Sequence, residues 1–177
     1  RASSTLLGAA LVGLVASLVL TIDKYRILAN PAYRPPCSLS DELDCTQVMT
    51  SWQASLFGFP NSLLGIAGFS VLVTVAVTLL AGFVPPQWFR FALLGGCVLG
   101  LTLVHWLVVQ SAFVIGAVCL YCAAVWVVTA VSTGFAVVGV LTGIDRPAAR
   151  AAAAWVPVAV VAWLCAVAIT TAWGVLR

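Results

Sequence analysis

Uncharged apolar runs close to twenty residues long recur five times along the chain, at residues 6–22, 62–84, 91–113, 119–141 and 151–176. A run of about 20 apolar residues matches the hydrocarbon thickness of a bilayer. In lipid every backbone N–H and C=O must be satisfied within the segment, so such runs fold as helices. A buried soluble core is excluded by charge: 63% of the 177 residues are hydrophobic and only 7% are charged, where soluble domains carry about 25%. The expected fold is an all-α integral membrane protein. It is a bundle of five transmembrane helices, four forming the core and one peripheral, read as a single domain over residues 1–177.

The links support those boundaries. Pro85-Pro86-Gln87 and the stretch 143–147, which holds Gly143 and Pro147, carry the residues expected at helix ends. The first run is kept as a helix rather than a secretory signal, because Asp23-Lys24-Tyr25 is not a small-residue cleavage site. With 8 bases against 5 acids, net charge says little about partners, and the placement of the bases carries more. A cytoplasmic N-terminus puts Arg1, Arg90, Arg146 and Arg150 inside, as the positive-inside tendency asks. Lys24, Arg26 and Arg34 then lie outside, accompanied by Asp23, Asp41, Glu42 and Asp44.

Four cysteines fall on one side in that arrangement. Cys37 and Cys45 sit in the long polar loop 23–61, and Cys119-Leu-Tyr-Cys122 opens the fourth run. Cysteines at i and i+3 in the first turn of a helix share a face, and the helix N-terminus stabilises a thiolate there. The spacing predicts a redox-active dithiol, bonded at rest, on the side where disulfides persist. The loop pair admits two readings, a static staple or one half of a thiol–disulfide relay; a second dithiol on the same membrane face favours the relay. Cys97 and Cys165 lie mid-span and read as small hydrophobes. No metal site is assigned, since the four cysteines are widely separated in sequence, and His105 falls within the third run, away from the outer mouth.

The loop has internal order. Pro31, Pro35 and Pro36 hold its first part extended, and Asp44-Cys45-Thr46-Gln47 has capping-box spacing, predicting a short helix from Cys45. Val48, Trp52 and Leu56, beside Met49, give that helix an apolar stripe until Gly58-Phe59-Pro60 ends it, and the next helix begins at Asn61. The stripe either roofs a cavity between the spans or anchors the loop at the interface.

Together these residues resemble the vitamin K epoxide reductase family, bacterial type. The resemblance rests on Cys37 preceding Cys45 in the loop, Ser51 six residues after Cys45 with Trp52 adjacent, Asn61-Ser62-Leu63-Leu64-Gly65 opening a span, and Cys119-Leu-Tyr-Cys122 opening a later one. It covers roughly residues 6–141. In the DsbB family the order of the two pairs is reversed.

The resemblance implies a membrane oxidoreductase in which Cys37 exchanges with the dithiol of a DsbA-like or thioredoxin-like protein and Cys45 attacks the inner pair at Cys119. The released Cys122 thiolate then reduces a membrane quinone, menaquinone or ubiquinone. It also implies quinone contacts from Asn61, Trp126 and Ser51, a location in the bacterial inner membrane with the cysteines facing outward, and a separate soluble partner, as no thioredoxin-like domain follows the fifth run. Asn61 has a plainer role open to it as a helix N-cap. Animal relatives carry a tyrosine where this chain has Trp126, whose indole donates one hydrogen bond and accepts none; that favours thiol oxidation over epoxide reduction. A non-catalytic membrane subunit with a structural loop disulfide is the alternative of another class.

Overall fold

The computed structural model describes residues 2–40 and 42–176; Arg1, invoked for orientation, and Asp41, among the loop acids, lie outside the described residues. Among the described residues every regular element is helical. In chain order they are α1 (Ala2–Ala29), α2 (Cys45–Thr50), a 3-10 turn (Trp52–Ser55), α3 (Ser62–Leu80), α4 (Gln87–Gln110), a π-helical turn that prolongs it (Ser111–Ile115), α5 (Leu120–Thr142) and α6 (Pro147–Val175). Five of these helices are long and apolar enough to cross a membrane.

The ends follow local chemistry. Pro86 is the N-cap of α4, and Pro147 occupies the first turn of α6, where no N–H partner is lost. Gly116 takes a left-handed conformation, φ 74°, and stops the π-helical turn. The largest departure from the expected boundaries is in α1, which continues past residue 22 to Ala29. Asp23 and Lys24 do not break it because each finds a partner: the Tyr33 hydroxyl donates to Asp23 Oδ1 at 2.8 Å, and the Lys24 ammonium donates to the Met49 carbonyl. The lysine stem lies along the apolar wall while its head reaches a polar atom.

α1 packs on α3 and α5, and α4 packs on α5; α6 leans on α5 and is the peripheral helix. The core between them includes Leu6, Ala10, Phe69, Leu72, Ala76, Cys97, Val128 and Ala136. α1 and α3 approach so closely that a Cβ on Gly65 would meet the Ser17 hydroxyl. Cys97 and Cys165 are free thiols, the first buried in the core and the second facing outward. His105 also lies on the outward side of its helix, against the Trp163 ring.

The short loop helix differs in detail from its sequence reading. Asp44 caps it as expected, accepting from the Thr46 N–H at 2.8 Å, but Gln47 does not close the box: its amide donates instead to the Ile115 carbonyl at 3.1 Å. The helix stops at Thr50 because Ser51 is extended, φ −65° and ψ 152°, with its hydroxyl on the Val48 carbonyl at 2.7 Å. That break rotates the next turn of the chain. Val48 and Met49 stay buried, whereas Trp52 is 65% exposed and rests edge-on against Trp106, and Gln53 takes the inward place. An amphipathic indole at this level suits the membrane–water interface.

Candidate functional site

Three elements converge on the cysteines. Cys45 is the first residue of α2, Cys37 lies in the loop before it, and Cys119 is the N-cap residue of α5. Cys37 and Cys45 form a disulfide. The sulfurs of Cys37, Cys45 and Cys119 all lie within 4.8 Å of one another, and Cys119 Sγ stands 3.1 Å from Cys45 Sγ. All three residues are buried. With Cys37 and Cys45 bonded, the group presents one thiol to one disulfide, the arrangement that thiol–disulfide exchange requires.

Backbone contacts hold that juxtaposition. After Gly116 reverses the chain, the Val118 N–H donates to the Glu42 carbonyl at 2.8 Å, tying the start of α5 to the cysteine loop. The Ser38 hydroxyl donates to Asp44 at 2.6 Å, locking Cys37's neighbour to the cap of the Cys45 helix. Burial alone raises the Asp44 pKa, but hydrogen bonds from Ser38, Thr46 and Gln47 outweigh it and hold the carboxyl below its ordinary 3.8.

Cys122 lies one turn further into α5; its backbone N–H points at Cys119 Sγ, 3.5 Å away. Cys119 and Cys122 are both free thiols here, so the dithiol expected to be bonded at rest is reduced and the loop pair carries the disulfide. The oxidation state is a position in a cycle, which residue spacing does not encode.

Beneath α2 is a cavity of about 550 Å³, within the range that holds small lipophilic ligands. α1, α3, α4 and α5 form its walls, and Val48, Met49, Ser51, Gln53 and Ala54 form its roof. Of the two readings of the loop helix, the roof is therefore the one observed. Cys122, Trp126, Asn61 and Ser51 all line the cavity. Trp126 is buried among Val104, Val108 and Val167.

Asn61 is the N-cap residue of α3, yet its side chain does not cap the helix. Its Nδ2 donates to the Gln53 carbonyl at 2.6 Å, and its Oδ1 accepts from the Leu56 N–H at 3.1 Å, so the amide pins the roof. An amide nitrogen carries two hydrogens, and the second is left over from that pairing. Two further groups went unnoticed in sequence. Lys24 reaches the cavity wall, and the Ser132 hydroxyl, 1% exposed, lines the wall with no partner. Lys24 reads as a loop charge when the helix is ended at residue 22, about two turns short of Ala29, and a lone Ser mid-span carries no sequence signal.

No curated protein matches the chain. A sequence model described as the vitamin K epoxide reductase family matches residues 4–137, which takes in both cysteine pairs, the roof of the cavity, Lys24, Asn61, Trp126 and Ser132, and leaves α6 outside. The chain thus belongs to the vitamin K epoxide reductase family and is an oxidoreductase with helices long and apolar enough to span a membrane.

Proposed function

We propose that the chain oxidises the dithiol of a DsbA-like or thioredoxin-like protein on the extracytoplasmic side of a bacterial inner membrane. Two electrons pass through Cys37 and Cys45 to Cys119 and Cys122, and then to a membrane quinone. The observation that carries this reading is the 3.1 Å separation of Cys119 Sγ from a Cys45 that is itself disulfide-bonded. A static staple requires no third sulfur at that distance.

The steps assign one role to each cysteine. A partner thiolate attacks Cys37, and the Cys45 sulfur is released to attack Cys119, displacing Cys122. Cys37 is 4% exposed, so the partner reaches it only when its segment lifts, which breaks the short bonds from Ser38 to Asp44 and from Leu39 N–H to the Leu43 carbonyl. The arrangement seen here, loop oxidised and inner pair reduced, corresponds to the stage after electrons have moved inward.

The cavity fits a flat lipophilic acceptor: its walls are mostly apolar, Cys122 opens into it, and the unpartnered Ser132 hydroxyl gives the wall an unused polar atom. A quinone, of the menaquinone or ubiquinone class, supplies a sink for two electrons and two protons. Cys122 presents the thiol to that space, the remaining Asn61 N–H is offered to a ring carbonyl, Trp126 forms a wall and Ser51 the rim. Trp126 brings no acceptor, which supports thiol oxidation over epoxide reduction.

The test is turnover of purified protein with a reduced DsbA-like partner and added quinone, followed by quinone absorbance. Quinol should form with wild type and not with Cys45→Ser or Cys119→Ser. No quinol from wild type would mean a structural loop disulfide in a non-catalytic subunit, unchanged oxidation in either variant would refute the cysteine relay, and turnover with vitamin K epoxide in place of quinone would assign the animal-type reaction.

A further inference from the structure

A carboxylate is buried on the helix face that meets the cysteine cluster. Asp23 is 3% exposed, in a chain with very few charges. Leu20, Asp23 and Ile27 fall at i, i+3 and i+7 on one face of α1, and Leu20 and Ile27 pack in the same cluster as Cys37, Cys45 and Cys119. Asp23 therefore lies on the side of α1 that carries the cysteine cluster, and its latch Tyr33 packs against that cluster. Its Oδ1 accepts from the Tyr33 hydroxyl at 2.8 Å, with an Arg26 guanidinium 3.8 Å off; its Oδ2 is buried and has no partner. The carboxylate is also within electrostatic reach of the Cys119 sulfur. An acceptor oxygen left bare in such a place is costly, and the Tyr33 latch accounts for only the other oxygen.

Thiol–disulfide exchange has a use for it. The attacking sulfur must lose a proton and the departing sulfur must regain one, and among the described residues no carboxylate of the loop is free to do this: Glu42 pairs with Ser40, and Asp44 is engaged by Ser38 and Thr46. Lys24, next in sequence, turns its ammonium to the Met49 carbonyl.

We propose that Asp23 is the proton carrier of the cysteine relay, serving both Cys45 and Cys119; the proposal rests on the relay reading. Starting with the loop pair reduced and Cys119 bonded to Cys122, Asp23 takes the proton of the Cys45 thiol. The Cys45 sulfur attacks Cys119, the Cys45–Cys119 bond forms, the Cys119–Cys122 bond breaks and Cys122 leaves as a thiolate. Cys37 then attacks Cys45, restoring the loop disulfide and expelling the Cys119 sulfur, which recovers the proton from Asp23. The Cys37 proton passes through solvent to the Cys122 thiolate. Two electrons have moved inward, and Asp23 ends as it began.

The test uses full-length, quinone-free protein in nanodiscs, fully oxidised, mixed with dithiothreitol and acid-quenched over time. Alkylation and peptide mass spectrometry report loop thiols and Cys119/Cys122 thiols separately. Asp23→Asn keeps an acceptor for Tyr33 but cannot carry a proton. In it, loop reduction should be normal, while appearance of the inner thiols should slow about a hundredfold near pH 7. The deficit should shrink as pH rises toward the ordinary thiol pKa of about 8.5. Asp23→Glu, which keeps a carboxylate, and Tyr33→Phe, which removes only the latch, should both retain the shallow pH profile of wild type. A loss in Asp23→Asn that is the same at every pH, a wild-type rate at pH 7, or the Asn profile in Tyr33→Phe would overturn the proposal. Should Asp23→Asn not fold, the Glu profile decides: a steep one overturns it. Wild type that never passes electrons to Cys119 and Cys122 refutes the relay itself, a result separate from these.

Discussion

Replacing Asn61 by Ala separates the roof of the cavity from the acceptor within it. The side chain makes two hydrogen bonds to the loop, at 2.6 Å to the Gln53 carbonyl and 3.1 Å from the Leu56 N–H. Each contributes about 0.5–1.5 kcal/mol net, so their loss costs roughly 1–3 kcal/mol of stability. In the proposed site the second Nδ2 hydrogen also meets a ring oxygen where charge develops, a bond of about 1.5–3 kcal/mol. At about 1.4 kcal/mol per decade, quinol formation should fall roughly ten- to a hundredfold. Asn61→Asp gives the second arm: it retains the acceptor for Leu56 and loses both donors, so it should lose turnover as Ala does while keeping the Leu56 bond. Stopped-flow quinone absorbance reads the final step, and thiol trapping of the soluble partner reads exchange at Cys37, which should survive. If both steps fall equally in Asn61→Asp, the residue only braces the roof and the acceptor is held by other groups.

The loop and its cap give three further outcomes. Asp44→Ala should destabilise the Cys45 helix by about 1 kcal/mol, seen as a lower melting temperature. Because Asp44 is held below its ordinary value of 3.8, its contribution is fully present above that pH and is lost as pH falls through the lower folded value; wild type should approach the variant in melts below about pH 3.8, and a difference that persists there refutes the assignment. Leu39, 68% exposed in the same loop, should, as Leu39→Cys, react with a membrane-impermeant thiol reagent added to intact cells. Labelling only after the cytoplasmic face is opened would invert the proposed topology.

The spans and the two cysteine pairs were legible because lipid leaves a chain few choices: length, lack of charge and Pro–Gly links mark helices whatever packs against them. The packed site was less so. Helix α1 was ended at the first charge, yet Asp23 and Lys24 are tolerated because Tyr33 and the Met49 carbonyl, distant in sequence, receive them. The stripe of Val48, Trp52 and Leu56 assumed continuous helical phase, and Ser51 breaks that phase. Gln47 satisfies a capping motif on paper but finds the Ile115 carbonyl, whose position depends on the turn made by Gly116. Asn61 reads in sequence either as a quinone contact implied by the resemblance or as a helix N-cap, whereas its bonds to Gln53 and Leu56 arise only once the 3-10 turn exists.

The most direct measurement is to isolate Cys122→Ser from oxidising membranes, alkylate free thiols at once, and map the disulfide by nonreducing peptide mass spectrometry. With its internal partner removed, Cys119 stands 3.1 Å from Cys45 and nothing else on α5 can resolve the bond they form; Cys37 alone can, by re-forming the loop disulfide, and Cys37→Ser/Cys122→Ser closes that route. A peptide pair joined through Cys45 and Cys119, with Cys37 alkylated, is the predicted result. A bond from Cys37 to Cys119, or a Cys119 that stays free in Cys37→Ser/Cys122→Ser, where the loop cannot re-form its own disulfide, would contradict the relay as drawn.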